Sequence, residues 1–180
     1  MIFCYSVFGG NYYVKVPMLP TNERKKIMSP KSKRAYLGID PGRAGGIALV
    51  WADAQQYEAW KIPESERDLW DILNNHVRQY TVFAMIEKVH SSPQMGVRSA
   101  FSFGRSYGTL RGMLNALELP FDEVSPVKWQ NWQKCRTGGN KNVSKSRAQQ
   151  LFPNLKMTHA IADSLLIADY CRQIRLGLVR

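Results

Sequence analysis

The sequence predicts an α/β domain with a central five-stranded mixed sheet flanked by helices, and three observations lead to this prediction. Short apolar runs at 35–40, 46–51 and 57–62 follow one another with brief connections, which indicates an antiparallel meander. Two further apolar runs, 81–87 and 121–124, each follow a segment of helical periodicity. Helical segments then follow the last of these runs. Strands that alternate with helices are typical of an α/β sheet.

The strands are delimited by their turns and their last residues. The first strand, AYLGID (35–40), ends in a carboxylate, and Pro41 and Gly42 then turn the chain. The second, GIALVW (46–51), is apolar throughout. The fourth, TVFAMIE (81–87), again ends in a carboxylate, so it has the pattern of a buried strand with a polar end.

Helix boundaries follow from apolar periodicity and capping residues. An apolar stripe after Ser65 predicts the first helix, and a second helix is expected over 97–117. Ser125 and Pro126 provide an N-cap and a proline at the first position of a third helix.

The last two helices are separated from the third by a glycine-rich segment. TGGNKN (137–142) is predicted to be a flexible loop, and Ser144 is predicted to cap a short helix that Pro153 ends. The final helix is expected from about Thr158 to about Leu176.

Residues 1–34 differ in composition from 35–180, and we interpret them as a basic N-terminal extension of the α/β domain. Residues 1–20 are aromatic and apolar without the features of a signal peptide, and 21–34 are polar, basic and interrupted by proline. Two interpretations stay open. In one, translation begins at Met28 and the residues before it are not native. In the other, the segment is a solvated or disordered arm that contacts DNA or stabilises an oligomer.

Composition narrows the function classes. With 44% apolar residues the chain can bury a core, and it has no apolar run long enough for a transmembrane helix, so no membrane partner is expected. The three cysteines, Cys4, Cys135 and Cys171, are far apart and form no CxxC pair. This argues against a disulfide framework or a thiolate zinc site and favours a reducing compartment. We expect a cytoplasmic, organellar or host-cell location.

The net charge of +11 is distributed in blocks. Residues 125–156 contain seven Lys and Arg and no acid, 88–117 contain four and no acid, and 35–87 contain eight acids and four bases. Acid-free basic blocks favour a phosphate backbone by counterion release, whereas an acidic block favours a metal ion. Nucleic acid is the expected partner, and solubility alone is the plainer interpretation.

Two carboxylates end apolar strands. If the strands of Asp40 and Glu87 are neighbours, both carboxylates lie at one end of the sheet, where a divalent cation would relieve their repulsion. Oxygen ligands favour Mg²⁺ or Mn²⁺ over softer metals. The alternative is that both are ordinary acids at strand ends.

The final helix adds two more candidates. His159 and Asp163 are four residues apart and share a helix face, and a buried lone Asp is costly unless it is paired or metal-bound. A lone His more often forms a hydrogen bond with a backbone group than it binds a metal ion. Together with Asp40 and Glu87 they form one candidate site, which with two metal ions would suit phosphodiester hydrolysis. No nucleotide cofactor is expected, because the glycines after Asp40 match neither GxGxxG nor GxxxxGK[ST].

Five segments carry a family resemblance: LGIDPGRAGGIALV (37–50), FAMIEKV (83–89), SAFSFGRSYGTLRGML (99–114), SPVKWQ (125–130) and HAIADSLLIADY (159–170). In this order they resemble the RuvC family of Holliday-junction resolvases, with phage-type and plant-chloroplast members the most similar. The resemblance implies an RNase H-like fold, a homodimer and symmetrical nicking of four-way junction DNA. It also implies two Mg²⁺ ions per active site, for which Mn²⁺ can substitute.

The same resemblance implies roles at matching positions. Asp40 matches the family's first catalytic Asp, Glu87 its strand-end Glu, and Asp163 its last acid. His159 falls where many members have an acid and some have His, so its role as metal ligand, general base or phosphate contact stays open. Lys145, in the basic stretch before the final helix, is implied to contact the scissile phosphate or to stabilise transition-state charge.

The acid-free segment 125–156 is the predicted DNA surface. Its candidate side chains are Lys128, Lys134, Arg136, Lys141, Lys145 and Arg147. For any single one, a solvated surface charge is the alternative. Met95 is a candidate wedge that unstacks bases, with Phe101 and Phe103 as rivals. Trp129 and Trp132 are candidates for base stacking, although core packing is the commoner role.

Three glycines at helical spacing form a smooth strip on the helix expected over 97–117. Gly104, Gly108 and Gly112 are four residues apart, and each costs about 1 kcal/mol in a helix interior. Three on one face indicate close approach of another backbone. The resemblance implies the dimer interface, and packing on the domain's own sheet is the alternative.

The sequence is compatible with three functions. The first is a structure-selective endonuclease that resolves four-way junctions and leaves 5′-phosphate and 3′-hydroxyl ends. The second is a non-catalytic junction-binding protein, against which the acids at three separate places argue. The third is an actin- or sugar-kinase-like ATPase, which would need two such domains.

Overall fold

The computed structural model of the protein describes residues 2–7, 10–15, 33–42, 44–89, 95–136 and 138–178. The chain divides into two units, Met1–Lys31 and Ser32–Arg180. In the first unit, strands β1 (Ile2–Val7) and β2 (Gly10–Lys15) pair in antiparallel fashion. The sequence analysis predicts no strand there, although aromatic and β-branched residues, which favour strands, are frequent in both segments. Residues 16–32 of the predicted extension lie outside the described residues.

A mixed five-stranded sheet organises the second unit. Its strands are β3 (Arg34–Ile39), β4 (Gly46–Trp51), β5 (Tyr57–Lys61), β6 (Thr81–Glu87) and β7 (Phe121–Val124). They lie in the order β5-β4-β3-β6-β7, so β3 is the central strand. The first three form an antiparallel meander, β6 is parallel to β3, and β7 is parallel to β6. The predicted mixed sheet is confirmed.

Five helices accompany the sheet in the described part of the chain. They are α1 (Glu66–Gln79), α2 (Val97–Ala116), α3 (Pro126–Trp132), α4 (Lys141–Leu151) and α5 (His159–Arg175). The predicted N-cap Ser125 precedes α3, and α1 and α5 begin directly after Ser65 and Thr158, where their starts are predicted. None of the helices in the described ranges has the length and apolar character that crossing a lipid bilayer requires.

The start of α4 differs from the prediction. Its N-cap is Asn140, whose side-chain oxygen accepts a hydrogen bond from the backbone N–H of Asn142 at 3.0 Å. The prediction that Ser144 is the cap is wrong, because Asn caps a helix as well as Ser does and the earlier of the two begins it. Residues 141 and 142 of the predicted loop 137–142 therefore belong to the helix.

Apolar side chains cover both faces of the sheet. On one face Tyr36 and Val50 pack in a cluster with residues of α5. On the other face Leu37 and Leu49 pack in a second cluster with residues of α1 and α2. Successive residues of a strand point to opposite faces, so one strand contributes to both clusters. All of β4 is buried, as expected for a strand with helices on either side.

Helix α5 lies very close to the sheet at two glycines. A Cβ atom at Gly38 in β3 would overlap the carbonyl oxygen of Ser164 and the backbone nitrogen of Ala168. A Cβ atom at Gly46 in β4 would overlap the carbonyl oxygen of Ala160. Since these are backbone atoms of the helix, they cannot turn aside as a side chain would. The two glycines therefore determine how closely α5 lies on the sheet.

Replacement of Gly38 tests this packing. Gly38→Ala is expected to destabilise the protein by about 1–3 kcal/mol, because the added methyl group overpacks the helix–sheet contact. Urea denaturation measures the change. At Gly138 a Cβ atom would meet nothing within 4 Å, so the matched variant Gly138→Ala should change stability by less than about 0.5 kcal/mol. Equal stability of Gly38→Ala and wild type would contradict the close approach.

Candidate active site

The two strand-end acids are neighbours across the sheet. Strands β3 and β6 run parallel, and Ile39 is paired with Ile86. Asp40 follows Ile39, and Glu87 follows Ile86, so both carboxylates belong to the same end of the sheet. The condition on which the candidate site depends, that these two strands are neighbours, is met.

A tight turn orients Asp40. Its backbone N–H donates to the Gly46 carbonyl oxygen at 3.0 Å, and its Oδ1 accepts from the backbone N–H of Gly42 at 3.1 Å. The N–H of Gly45 donates to the Gly42 carbonyl oxygen at 2.8 Å, and a Cβ atom at Gly45 would overlap the Asp40 carbonyl. Glycine at position 45 is thus required by the turn that holds the carboxylate.

Helix α5 supplies the third carboxylate. Asp163 precedes Ser164, whose carbonyl lies directly on Gly38 of the sheet. The Oδ1 atom of Asp163 is buried and has no hydrogen-bond partner in the described chain. A buried carboxylate oxygen without a partner is costly, so this atom requires a donor or a cation.

The three carboxyl groups are half-buried and lie close enough to influence one another. Burial raises the pKa of Asp40, and the charge of Asp163 raises it further. Burial is also the main cause that raises the pKa of Glu87 to about 7; the charges of Asp40 and Asp163 add to it, and a hydrogen bond from Trp129 opposes it. Burial raises the pKa of Asp163 as well. The site therefore disfavours negative charge and would favour a cation.

One lysine partly offsets the rise in pKa at all three acids. The positive charge of Lys141 lowers the pKa of Asp40, of Glu87 and of Asp163. From the sequence, Lys141 is predicted only at the DNA surface, and the catalytic role is predicted for Lys145, which is half-buried one turn further along α4. The structure thus adds Lys141 to the candidate site.

His159 lies beside Asp163 at the start of α5. It is the exposed first residue of the helix, and its positive charge, when present, lowers the pKa of Asp163. The Ser144 hydroxyl, which the sequence analysis treats only as a cap, also lowers the pKa of Asp163 through a hydrogen bond. The role of His159 stays a prediction.

In chemical type, though not in their arrangement, the donor atoms present suit a hard divalent cation. Asp40, Glu87 and Asp163 offer carboxylate oxygens, the ligands that Mg²⁺ and Mn²⁺ prefer, and Oδ1 of Asp163 is buried without a partner. Within the described ranges, no group of three His, Cys, Asp or Glu side chains is arranged so that it could hold a metal ion. Metal ligation by these acids and by His159 stays a prediction.

The predicted DNA-binding residues are mostly accessible. Those exposed are Lys128, Lys134, Arg136 and Lys141, and those half-buried are Lys145, Arg147 and Met95. No ion pair of the described residues involves any of the six bases. Their binding to DNA stays a prediction. Residues 90–94, just before Met95, lie outside the described residues.

An open face runs along α2. Its exposed members are Val97, Phe101, Gly104, Gly108 and Gly112. A Cβ atom at any of the three glycines would meet nothing within 4 Å. The helix is instead anchored to its own sheet by Leu110 and Leu114. The alternative that the glycine strip packs on the domain's own sheet is therefore wrong.

Trp129 is a site residue for which the sequence analysis favours core packing. It is fully buried, but its indole Nε1–H also donates to Oε1 of Glu87 at 2.9 Å. A buried indole N–H generally needs an acceptor, so a partner could be expected from the sequence. Nothing in the sequence indicates that this partner is Glu87.

The sheet order and the helices define an RNase H-like α/β fold, as predicted. Two solved structures share it: T. thermophilus RuvC in complex with Holliday junction substrate, with a TM-score of 0.55, and a Thermus thermophilus RuvC structure, with a TM-score of 0.51. Each is 15% identical, and each comparison covers 79% of this chain and 96% of the other. No protein-family model and no curated protein matches the sequence.

The raised pKa of Glu87 predicts a pH-dependent stability. Because its folded-state pKa of about 7 lies above the ordinary 4.5, the metal-free protein loses stability as pH rises between these values. Glu87→Gln cannot ionise, so it should exceed wild type in stability by roughly 1–3 kcal/mol near pH 8 and match it near pH 4.

Urea denaturation in the presence of a chelator measures this difference. The matched variant Glu64→Gln replaces an exposed acid outside the site and should stay within about 0.5 kcal/mol of wild type at both pH values. A stability gap for Glu87→Gln that is the same at both pH values would contradict the prediction.

Proposed function

We propose that this protein is a structure-selective DNA endonuclease that resolves four-way (Holliday) junctions by paired symmetrical nicks. The observation that carries the proposal is the placement of three half-buried carboxyl groups. Asp40 and Glu87 end neighbouring parallel strands of an RNase H-like sheet, and Asp163 lies on the helix packed against these strands. T. thermophilus RuvC, which has the same fold, is known in complex with a Holliday junction substrate. The motif resemblance favours the phage-type and chloroplast branch of that family.

The reaction is metal-dependent phosphodiester hydrolysis. Asp40, Glu87 and Asp163 would hold the cations, and His159 would serve as a further ligand or as a general base. Two bound Mg²⁺ ions, or Mn²⁺ in their place, would supply an activated water and stabilise the departing 3′-oxygen. The products carry 5′-phosphate and 3′-hydroxyl ends. Lys145, with Lys141, stabilises charge on the scissile phosphate.

The basic segment 125–156 binds the phosphate backbone. Its bases, which include Lys128, Lys134, Arg136 and Arg147, form no ion pairs among the described residues and can replace the counterions of DNA. Junction selectivity comes from the shape of the dimer and the deformability of the DNA, with Met95 as a wedge. The protein would act where such DNA is found, in the cytoplasm, an organelle or a host cell.

The working form is a homodimer joined through the open face of α2. The glycines allow two helix backbones to approach, and the exposed side chain of Phe101 adds apolar surface at one end of the face. Two-fold symmetry then supplies two active sites for strands of like polarity. Packing by a second copy would cover the space beside these glycines, where an added Cβ atom meets no described atom within 4 Å.

A nicking assay on labelled DNA tests the enzymatic proposal. With Mg²⁺, wild type should nick a four-way junction but not a linear duplex or a flap. Asp163→Asn should reduce nicking by at least about 100-fold, because it removes a cation ligand rather than a supporting residue. Junction binding should remain. The matched variant Asp53→Asn, at an exposed acid in the turn after β4, should nick as wild type does.

Other results of these assays would indicate a different function. Equal nicking of junction, duplex and flap would indicate a general nuclease. Junction binding by wild type without nicking, with Mg²⁺ or Mn²⁺, would indicate the non-catalytic binding protein. ATP binding would favour the kinase-like alternative.

The dimer is tested by filling the middle of the open face. Gly108→Leu should raise the dimer dissociation constant at least about tenfold, a change of 1.4 kcal/mol, because the leucine separates the helices. Sedimentation equilibrium measures this constant. Leucine favours helix more than glycine does, so loss of the helix cannot explain the effect. Asn75→Leu, at an exposed position of α1, is the control. A monomeric wild type would refute the interface.

A further inference from the structure

We propose that Trp129 is a positioning residue of the candidate active site: its indole N–H holds one oxygen of Glu87 and leaves the other for a cation. The inference rests on the proposed nuclease function, since it assigns Glu87 as a metal ligand. Trp129 is separated from Glu87 by 42 residues, and it belongs to α3 rather than to any element that carries a site carboxylate.

The contact between the two side chains is specific. Nε1 of Trp129 lies 2.9 Å from Oε1 of Glu87, and the indole is completely buried. Tryptophan has one donor and no acceptor, so this N–H can orient the carboxylate but cannot exchange a proton with it during the reaction. A hydrogen bond to a charged acceptor is stronger than one to a neutral acceptor, which suits it to fix a carboxylate in one rotamer.

Hydrogen bonds at the end of α3 fix the orientation of the Trp129 indole. One turn after Trp129, Gln133 is buried and its Nε2 donates to the Leu166 carbonyl oxygen and to Oδ2 of Asp169, both at 3.1 Å. Both acceptors belong to α5, the helix that carries Asp163. The hydrogen bonds of Trp129 and Gln133 therefore connect Glu87 of the sheet to α5, the helix that carries Asp163.

Trp132 provides a matched comparison on the same helix. Its indole Nε1–H also donates to a side-chain oxygen at 2.9 Å, but the acceptor is Oε1 of Gln173 and not one of the three site carboxylates. Both tryptophans pack in the cluster on the α5 face of the sheet. Removal of either indole N–H takes away one hydrogen bond of similar length, and only the bond of Trp129 ends on a proposed ligand.

The test compares Trp129→Phe with Trp132→Phe. Isothermal titration calorimetry with Mn²⁺ measures the affinity of the candidate active site for the ion. Only the binding that Asp163→Asn abolishes counts as binding at this site. Trp129→Phe should weaken this binding by about 10–100-fold, the usual effect of removing a residue that orients a ligand, while Trp132→Phe leaves it unchanged. The Mg²⁺ concentration for half-maximal junction nicking should rise by the same factor.

Wild-type Mn²⁺ affinity in a folded Trp129→Phe variant would overturn the inference, as would an equal loss in both variants. If wild type binds Mn²⁺ but does not nick, the proposed function fails, and the affinity comparison still decides the role of Trp129. Wild type that binds no Mn²⁺ would overturn both.

A second measurement applies if Trp129→Phe does not fold. In wild-type protein labelled with ¹⁵N-tryptophan, Mg²⁺ should shift the indole N–H signal of Trp129 and leave that of Trp132 in place. Asp163→Asn should abolish the shift. Movement of neither signal, or of both equally, would overturn the inference.

Discussion

The close packing of α5 on Gly38 and Gly46 is the contact on which the candidate site depends. At these glycines the backbone of the helix lies against the backbone of the sheet, and Asp163 comes within electrostatic reach of Asp40 and Glu87. The three carboxyl groups are half-buried there, and burial is the largest cause of the raised pKa at all three. The position of one helix thus determines both the geometry and the electrostatics of the site.

The acids are compensated only in part by the chain itself. Each has a neutral donor from another part of the fold: Gly42 for Asp40, Trp129 for Glu87 and Ser144 for Asp163. Lys141 adds a positive charge that acts on all of them, yet each pKa remains raised. Retention of negative charge where it costs stability is typical of functional sites, where the cost is recovered on binding a ligand.

The sheet and its acidic end could be predicted because their signals are local. Apolar runs with a final carboxylate marked the strands of Asp40 and Glu87, and short turns marked the meander. The prediction for the cap of α4 is wrong because Asn140 and Ser144 are equally suitable caps, and the helix begins at the earlier of the two. The bond from Trp129 to Glu87 could not be predicted, since it spans 42 residues and no local pattern encodes its partner.

The two faces of the sheet explain how one small domain can combine a dimer contact with an active site. Helix α5, with Asp163, packs in the apolar cluster on one face, and α2 packs through Leu110 and Leu114 in the cluster on the other. A second copy bound to the open face of α2 would therefore approach from the side opposite α5 and leave the carboxylates accessible.

Since only residues 88–96 separate Glu87 from the start of α2, the proposed dimer contact and a proposed metal ligand are also linked directly along the chain. In the proposed resolvase, the distance between paired nicks would follow from this link, because the pairing of the two α2 helices would set the separation of the two sites.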